Sequence, residues 1–128
     1  MEMIKSYTDI EQSRKLAEIL SADSADMHYN NASIKGINYV DEYRAELMDY
    51  NTAQKVLSKY LINPMFGIIP CWSLVALLDV LPNYQLQTQD DGIGILCSCN
   101  GKFNIVTADN TINACYEMII KLHELKLL

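Results

Sequence analysis

The chain has 128 residues, half of them hydrophobic and a fifth charged, and its formal net charge is −6. This length suits a single domain over residues 1–128, and the composition is too apolar for a disordered chain. Because sixteen acidic residues face only ten lysines and arginines, the sequence lacks the basic surface that nucleic acid binding requires. We therefore expect no nucleic acid partner.

The N-terminal segment carries no export signal and predicts a helix. Residues 1–15 contain no apolar signal core and no small-residue cleavage site, so we expect a cytoplasmic location. Thr8 and Glu11 have the spacing of a capping box, which predicts that Thr8 caps a helix running to about residue 20.

The next third of the chain predicts a loop followed by further helix. Residues 21–36 are mostly small and polar, which is typical of a surface loop. Apolar side chains then recur at helical spacing over residues 40–61. This pattern predicts one long helix, or two helices that separate at Asn51-Thr52.

The segment from Pro70 to Pro82, PCWSLVALLDVLP, predicts a buried helix over about residues 71–81. A helix of this length spans about 17 Å, whereas a bilayer core needs about 30 Å. Only Ser73 and Asp79 are polar within it, so the segment predicts a helix in the protein core and not in a membrane.

The pattern alternates after Pro82, which predicts three short strands within residues 84–108. Asp91-Gly92 and Asn100-Gly101 stand between the strands and favour tight hairpin turns. A final helix is predicted over about residues 111–126. The sequence therefore predicts an α+β fold, in which a three-stranded antiparallel meander presents one apolar face to the 71–81 helix and the C-terminal helix.

Cys71 is the candidate nucleophile of the sequence. A thiol at the start of a helix is stabilised as the thiolate, but it also needs an imidazole base. His28 and His123 are the available histidines, and neither has a position typical of a catalytic base. A small cysteine-dependent hydrolase or transferase is therefore an alternative hypothesis, and a packed thiol is the prediction.

Three other cysteines define a second alternative. Cys97 and Cys99 fall on the same side of a predicted strand, and Cys115 lies on the helix expected to cover it. A thiol metal site is conceivable there, although zinc sites usually combine two separated ligand pairs. We expect packed thiols, and neither metal nor cofactor.

Tyrosine is enriched, since eight of the eleven aromatic residues are tyrosines. Tyrosine is common at protein interfaces, where its ring is buried and its hydroxyl keeps a polar partner. The sequence therefore predicts a non-enzymatic binding module for a protein partner or for self-association, with no membrane contact. The candidate contact residues are Met27, Tyr29, Tyr43, Tyr50 and Tyr60.

Three stretches of the chain resemble a known group of sequences. They are SADM (residues 24–27), CWSLVALLDVLP (71–82) and ADNTINACYEMIIKLHELKLL (108–128). The group consists of short uncharacterised proteins of gut bacteria and their phages or integrated elements. The resemblance implies a mobile-element origin and a small accessory or interaction protein, and it implies no activity, cofactor or catalytic residue.

Overall fold

The chain has an α+β fold, as predicted. In the computed structural model, the described residues are 5–30, 44–57, 68–90 and 92–128. The chain divides into two compact units: the first unit is Asp9–Trp72, and the second unit combines Met1–Thr8 with Ser73–Leu128. The single domain over residues 1–128 stays a prediction.

The first unit is built around a three-stranded antiparallel sheet. Its elements are helix α1 (Ile10–Ala17), a short 3-10 turn (Ala22–Ser24), strand β1 (Met27–Asn30), strand β2 (Arg44–Glu46), helix α2 (Tyr50–Leu57) and strand β3 (Ile68–Cys71). The strand order is β2-β1-β3, and both helices pack against β3. One face of the sheet forms the core of the unit, in which Ile10, Ala45 and Ile69 pack around Met27, Tyr29 and Cys71.

Helix α1 begins one residue later than predicted, because Asp9 and not Thr8 is the N-cap. The Asp9 carboxylate accepts the backbone N–H of Gln12 at 2.7 Å, and the Gln12 side chain accepts the backbone N–H of Asp9 at 3.1 Å. Two capping boxes overlap in this sequence, and a carboxylate is the stronger acceptor at a helix N-terminus. Thr8 is fully buried instead.

Two short strands replace predicted loop and helix. β1 lies inside the predicted loop over residues 21–36, and β2 lies inside the predicted helical stretch over residues 40–61. α2 begins at Tyr50, before the predicted break, because the Asp49 carboxylate accepts the N–H of Thr52 at 2.9 Å. The hydrogen bonds from Thr52 also hold the pKa of Asp49 below its ordinary value. Residues 31–43 and 58–67 lie outside the described residues.

The predicted helix over residues 71–81 begins later in the structure. Helix α3 is Leu74–Val80, and its N-cap is Ser73, whose hydroxyl accepts the N–H of Ala76 at 3.3 Å. Pro70 and Cys71 belong to β3 instead. A proline is tolerated there because β3 is an edge strand among the described strands, and at an edge a missing N–H need not remove a ladder hydrogen bond.

The second unit contains the predicted meander. After α3 come strand β4 (Tyr84–Gln89), strand β5 (Gly92–Cys99), strand β6 (Lys102–Ala108) and helix α4 (Thr111–Glu124). The strands are antiparallel in the order β4-β5-β6, which confirms the prediction over residues 84–108. Asn100 and Gly101 form the predicted two-residue turn with φ of 51° and 78°, whereas Gly92 pairs with Gln89 and begins β5.

Helix α4 covers one face of this sheet. It packs against β5 and β6, and its buried residues are Ile112, Ala114, Cys115, Met118, Ile119 and Leu122. α3 packs against α4 and not over the sheet as predicted, and its Val75 is 75% exposed. None of the helices described is long and apolar enough to span a bilayer.

Candidate interaction surface

The Cys71 thiol lies in the core of the first unit. Cys71 is fully buried and pairs with Met27 across β3 and β1, while His28 pairs with Pro70. Successive side chains of a strand point to opposite faces, so the imidazole of His28 lies on the other face of the sheet from the thiol. The structure therefore separates the nucleophile and the base of the thiol hydrolase hypothesis.

The two histidines have different surroundings. The fully buried His28 has Nδ1 at 2.8 Å from the carbonyl oxygen of Met48, and its Nε2 lies 3.5 Å from Oε2 of Glu46 on the neighbouring strand. These contacts join β1 to β2 and to the chain that follows it. His123 is exposed on α4, with Nδ1 at 3.4 Å from the carbonyl oxygen of Leu128.

The thiols of the second unit are mostly packed side chains. Cys97 and Cys115 are buried and Cys99 is half-buried. Burial, and then the neighbouring Cys99, raise the pKa of Cys97 to about 11, while burial and then Cys97 raise the pKa of Cys115 to about 12. Within the described residues, no three histidine, cysteine or acidic side chains are arranged to hold a metal ion.

We expect Cys97 and Cys115 to resist alkylation in the folded protein. At pH 8 to 9, a thiol of pKa about 11 carries roughly 100-fold less of the reactive thiolate than one of ordinary pKa 9.0. Mass spectrometry after timed iodoacetamide treatment measures this, with Cys99 expected to react first of the three. The guanidinium-unfolded protein is the control, and rapid labelling of Cys115 in the folded protein would contradict the packing.

The predicted contact residues do not form a surface among the described residues. Met27 and Tyr29 lie on the central strand β1, on the sheet face that forms the core of the first unit. Tyr50 is half-buried at the start of α2. Tyr43 and Tyr60 lie outside the described residues.

Two exposed apolar side chains lie next to each other on the meander, on the face opposite α4. We call this the outer sheet face. Phe103 is 70% exposed and Ile105 is 55% exposed on β6, and Leu96 is the half-buried neighbour opposite Ile105 on β5. The face carries no charge on its described side chains, which are Gln85, Gln87, Leu96, Ser98, Phe103, Ile105 and Thr107 beside Gly94.

The turn at Asn100-Gly101 puts Phe103 on this face. A two-residue turn pairs Cys99 with Lys102, and therefore Phe103 with Ser98, whose side chain points away from α4. The single apolar face predicted for the meander is wrong for β6, because its two largest apolar residues face outward. The sequence signal for this surface is the two-residue turn, because it fixes which residues of β6 lie on each face.

The free edge of β6 is partly covered. The Lys121 amino group of α4 donates a hydrogen bond to the carbonyl oxygen of Ile105 at 3.3 Å. Lysine at a sheet edge opposes the addition of another strand. The outer sheet face therefore offers side chains for contact, while the adjoining backbone edge is guarded.

The comparisons with known proteins add no relative. No family model, no curated protein and no solved structure matches the chain.

Proposed function

We propose that the chain is a non-enzymatic protein-binding module and that the outer sheet face is its contact surface. The observation that carries this proposal is the exposure of Phe103 and Ile105 side by side on a sheet face without charge. Exposed apolar side chains grouped on one surface are typical of protein interaction sites, and aromatic residues are enriched among those that dominate binding energy.

The surroundings of the candidate catalytic groups favour binding over catalysis. A thiol nucleophile needs solvent access and an imidazole within hydrogen-bond reach. Cys71 is fully buried, and the side chain of His28 points to the opposite face of the sheet. A thiol metal module is disfavoured by the arrangement of the described cysteines.

The proposal includes a cytoplasmic location and an origin in a phage or another mobile element of gut bacteria. The resemblance of residues 24–27, 71–82 and 108–128 supports the proposed origin. The uncharged outer sheet face suits the binding role of a small accessory protein.

The double variant Phe103→Thr, Ile105→Thr is expected to bind the partner protein more weakly than the wild type does. Threonine keeps the β-strand preference of both positions but removes the apolar contact area. Tagged wild-type and variant proteins are expressed in the native host, and the recovered partner is quantified by mass spectrometry. We expect at least a tenfold lower recovery with the double variant, because truncating a residue that dominates an interface costs about 2 kcal/mol or more.

Leu47→Thr is the matched control, because Leu47 is an exposed leucine of the first unit and is not one of the residues of the outer sheet face. It is expected to recover the partner as the wild type does. Equal recovery by the wild type and the double variant, with both folded by circular dichroism, would refute the proposed surface.

A further inference from the structure

A second exposed apolar site lies beside α3, and we call it the α3 groove. It is an open groove of about 540 Å³ lined by Val75, Leu78, Asp79, Leu81 and Tyr84. Its volume falls in the range of ligand-binding clefts. Tyr84 belongs to the sheet face opposite the outer sheet face, so the two sites are separate.

The helix side of the α3 groove carries apolar side chains, although the sequence predicts that this helix is enclosed by protein. Val75, Leu78 and Asp79 follow one another at helical spacing, so they share one side of α3. Val75 is 75% exposed, although the sequence around it is as apolar as a buried helix. Such a side of a helix gains stability when another apolar surface covers it.

The Asp79 carboxylate determines which kind of ligand the α3 groove can bind. Asp79 is the one charged residue of the lining, and within the described part of the chain its carboxylate has neither an ion pair nor a hydrogen bond. A purely apolar occupant would desolvate this carboxylate without compensation, and an anion would be repelled by it. An occupant with a cation beside an apolar group would pair with the Asp79 carboxylate and cover the apolar side chains. Tyr84 is 43% exposed, and an aromatic ring also attracts cations.

We infer that the α3 groove binds a segment of a partner protein in which an apolar side chain stands next to a lysine or arginine. The groove is open and not enclosed, which suits a peptide segment better than a fully enclosed small molecule. This inference does not depend on the outer sheet face, and either proposal can fail alone.

Fluorescence anisotropy with synthetic peptides tests the inference on the full chain. The probe is a fluorescein-labelled peptide Ala-Leu-Lys-Ala-Leu-Lys-Ala, and its two controls carry glutamate for lysine or serine for leucine. We expect the leucine–lysine peptide to bind and both controls to bind at least tenfold more weakly. No binding of the leucine–lysine peptide at millimolar protein, or equal binding of the glutamate peptide, would overturn the inference.

Two variants locate the peptide in the groove. Asp79→Asn is expected to weaken binding about 2- to 5-fold and to reduce its dependence on salt, as for an exposed ion pair. Val75→Ser is expected to weaken binding about 3- to 10-fold through lost apolar contact. Both residues are exposed, so both variants are expected to fold, and circular dichroism checks this.

Glu124→Gln is the matched control, because it also removes one negative charge, from an exposed position of α4. It is expected to leave peptide binding unchanged. An equal loss with Glu124→Gln would mean general attraction to an acidic protein, and a loss with Phe103→Thr, Ile105→Thr would place the peptide on the outer sheet face. If the protein alone self-associates in sedimentation and Val75→Ser abolishes this, the occupant of the groove is a second copy of the chain. Each of these three results would overturn the inference.

Discussion

Trp72→Ala is expected to lower the free energy of unfolding by about 3–5 kcal/mol, as for other fully buried aromatic side chains. Trp72 is completely inaccessible to solvent, and its indole Nε1 donates a hydrogen bond to the hydroxyl oxygen of Ser24 at 2.9 Å. The alanine leaves a cavity of almost the whole indole and removes this hydrogen bond. Urea unfolding followed by circular dichroism measures the loss.

Two variants separate the cavity from the hydrogen bond. Ser24→Ala removes the acceptor together with the hydrogen bond that the same hydroxyl donates to the Ser21 carbonyl oxygen, and is expected to cost about 1–2 kcal/mol. Trp72→Phe keeps much of the apolar volume and is expected to fall between Ser24→Ala and Trp72→Ala. A loss below about 1 kcal/mol for Trp72→Ala would contradict the burial of this side chain, since large core truncations cost several times more.

Gly92→Ala is expected to destabilise the second unit by about 2–4 kcal/mol through backbone strain and overpacking. Gly92 has a φ of 150°, and a β-carbon at this position would lie 2.1 Å from the carbonyl oxygen of Ala108 on β6. The obstacle is backbone of the neighbouring strand end, so relief requires a shift of the meander itself. Thermal or urea unfolding compares the variant with the wild type.

Gly101→Ala is the matched glycine control. Gly101 also has a positive φ, of 78°, but a β-carbon there would have no atom within 4 Å. Its cost is therefore the conformational one alone, about 1–2 kcal/mol. Equal losses for the two variants would show that the Ala108 carbonyl does not restrict Gly92.

The second unit was largely predictable because its signals are local. The meander follows from alternation over residues 84–108 and from the Asn100-Gly101 turn, which the structure contains. The C-terminal helix was predicted over residues 111–126 and is Thr111–Glu124, with Asn110 as N-cap accepting the N–H of Asn113 at 2.8 Å. Turn and cap chemistry act over a few residues, so one sequence displays them.

The first unit was less predictable because pairing between distant segments forms its sheet. β1 has four residues and β2 has three, which is too short for a pattern of alternation to stand out. β1 is a strand because residues 44–46 and 68–71 pair with it. Tertiary pairing of this kind overrides the helical spacing seen around residues 40–61.

The candidate surfaces were missed for a different reason. Composition identifies apolar residues but does not say which face of an element they occupy. Phe103 is outward because of strand register, and Val75 is outward because α3 packs by its other side against α4. Met27 and Tyr29, which the tyrosine pattern offered as contact residues, are buried in the core of the first unit.

The hydrogen bond from the Lys121 amino group to the Ile105 carbonyl oxygen bears on aggregation through the edge of β6. An apolar sheet face next to an open strand edge is the arrangement from which fibrils grow, one strand after another. A strand added to β6 would have to displace a cation from the Ile105 carbonyl and leave that cation beside the new backbone. Growth along this edge is therefore opposed by a single lysine of the covering helix.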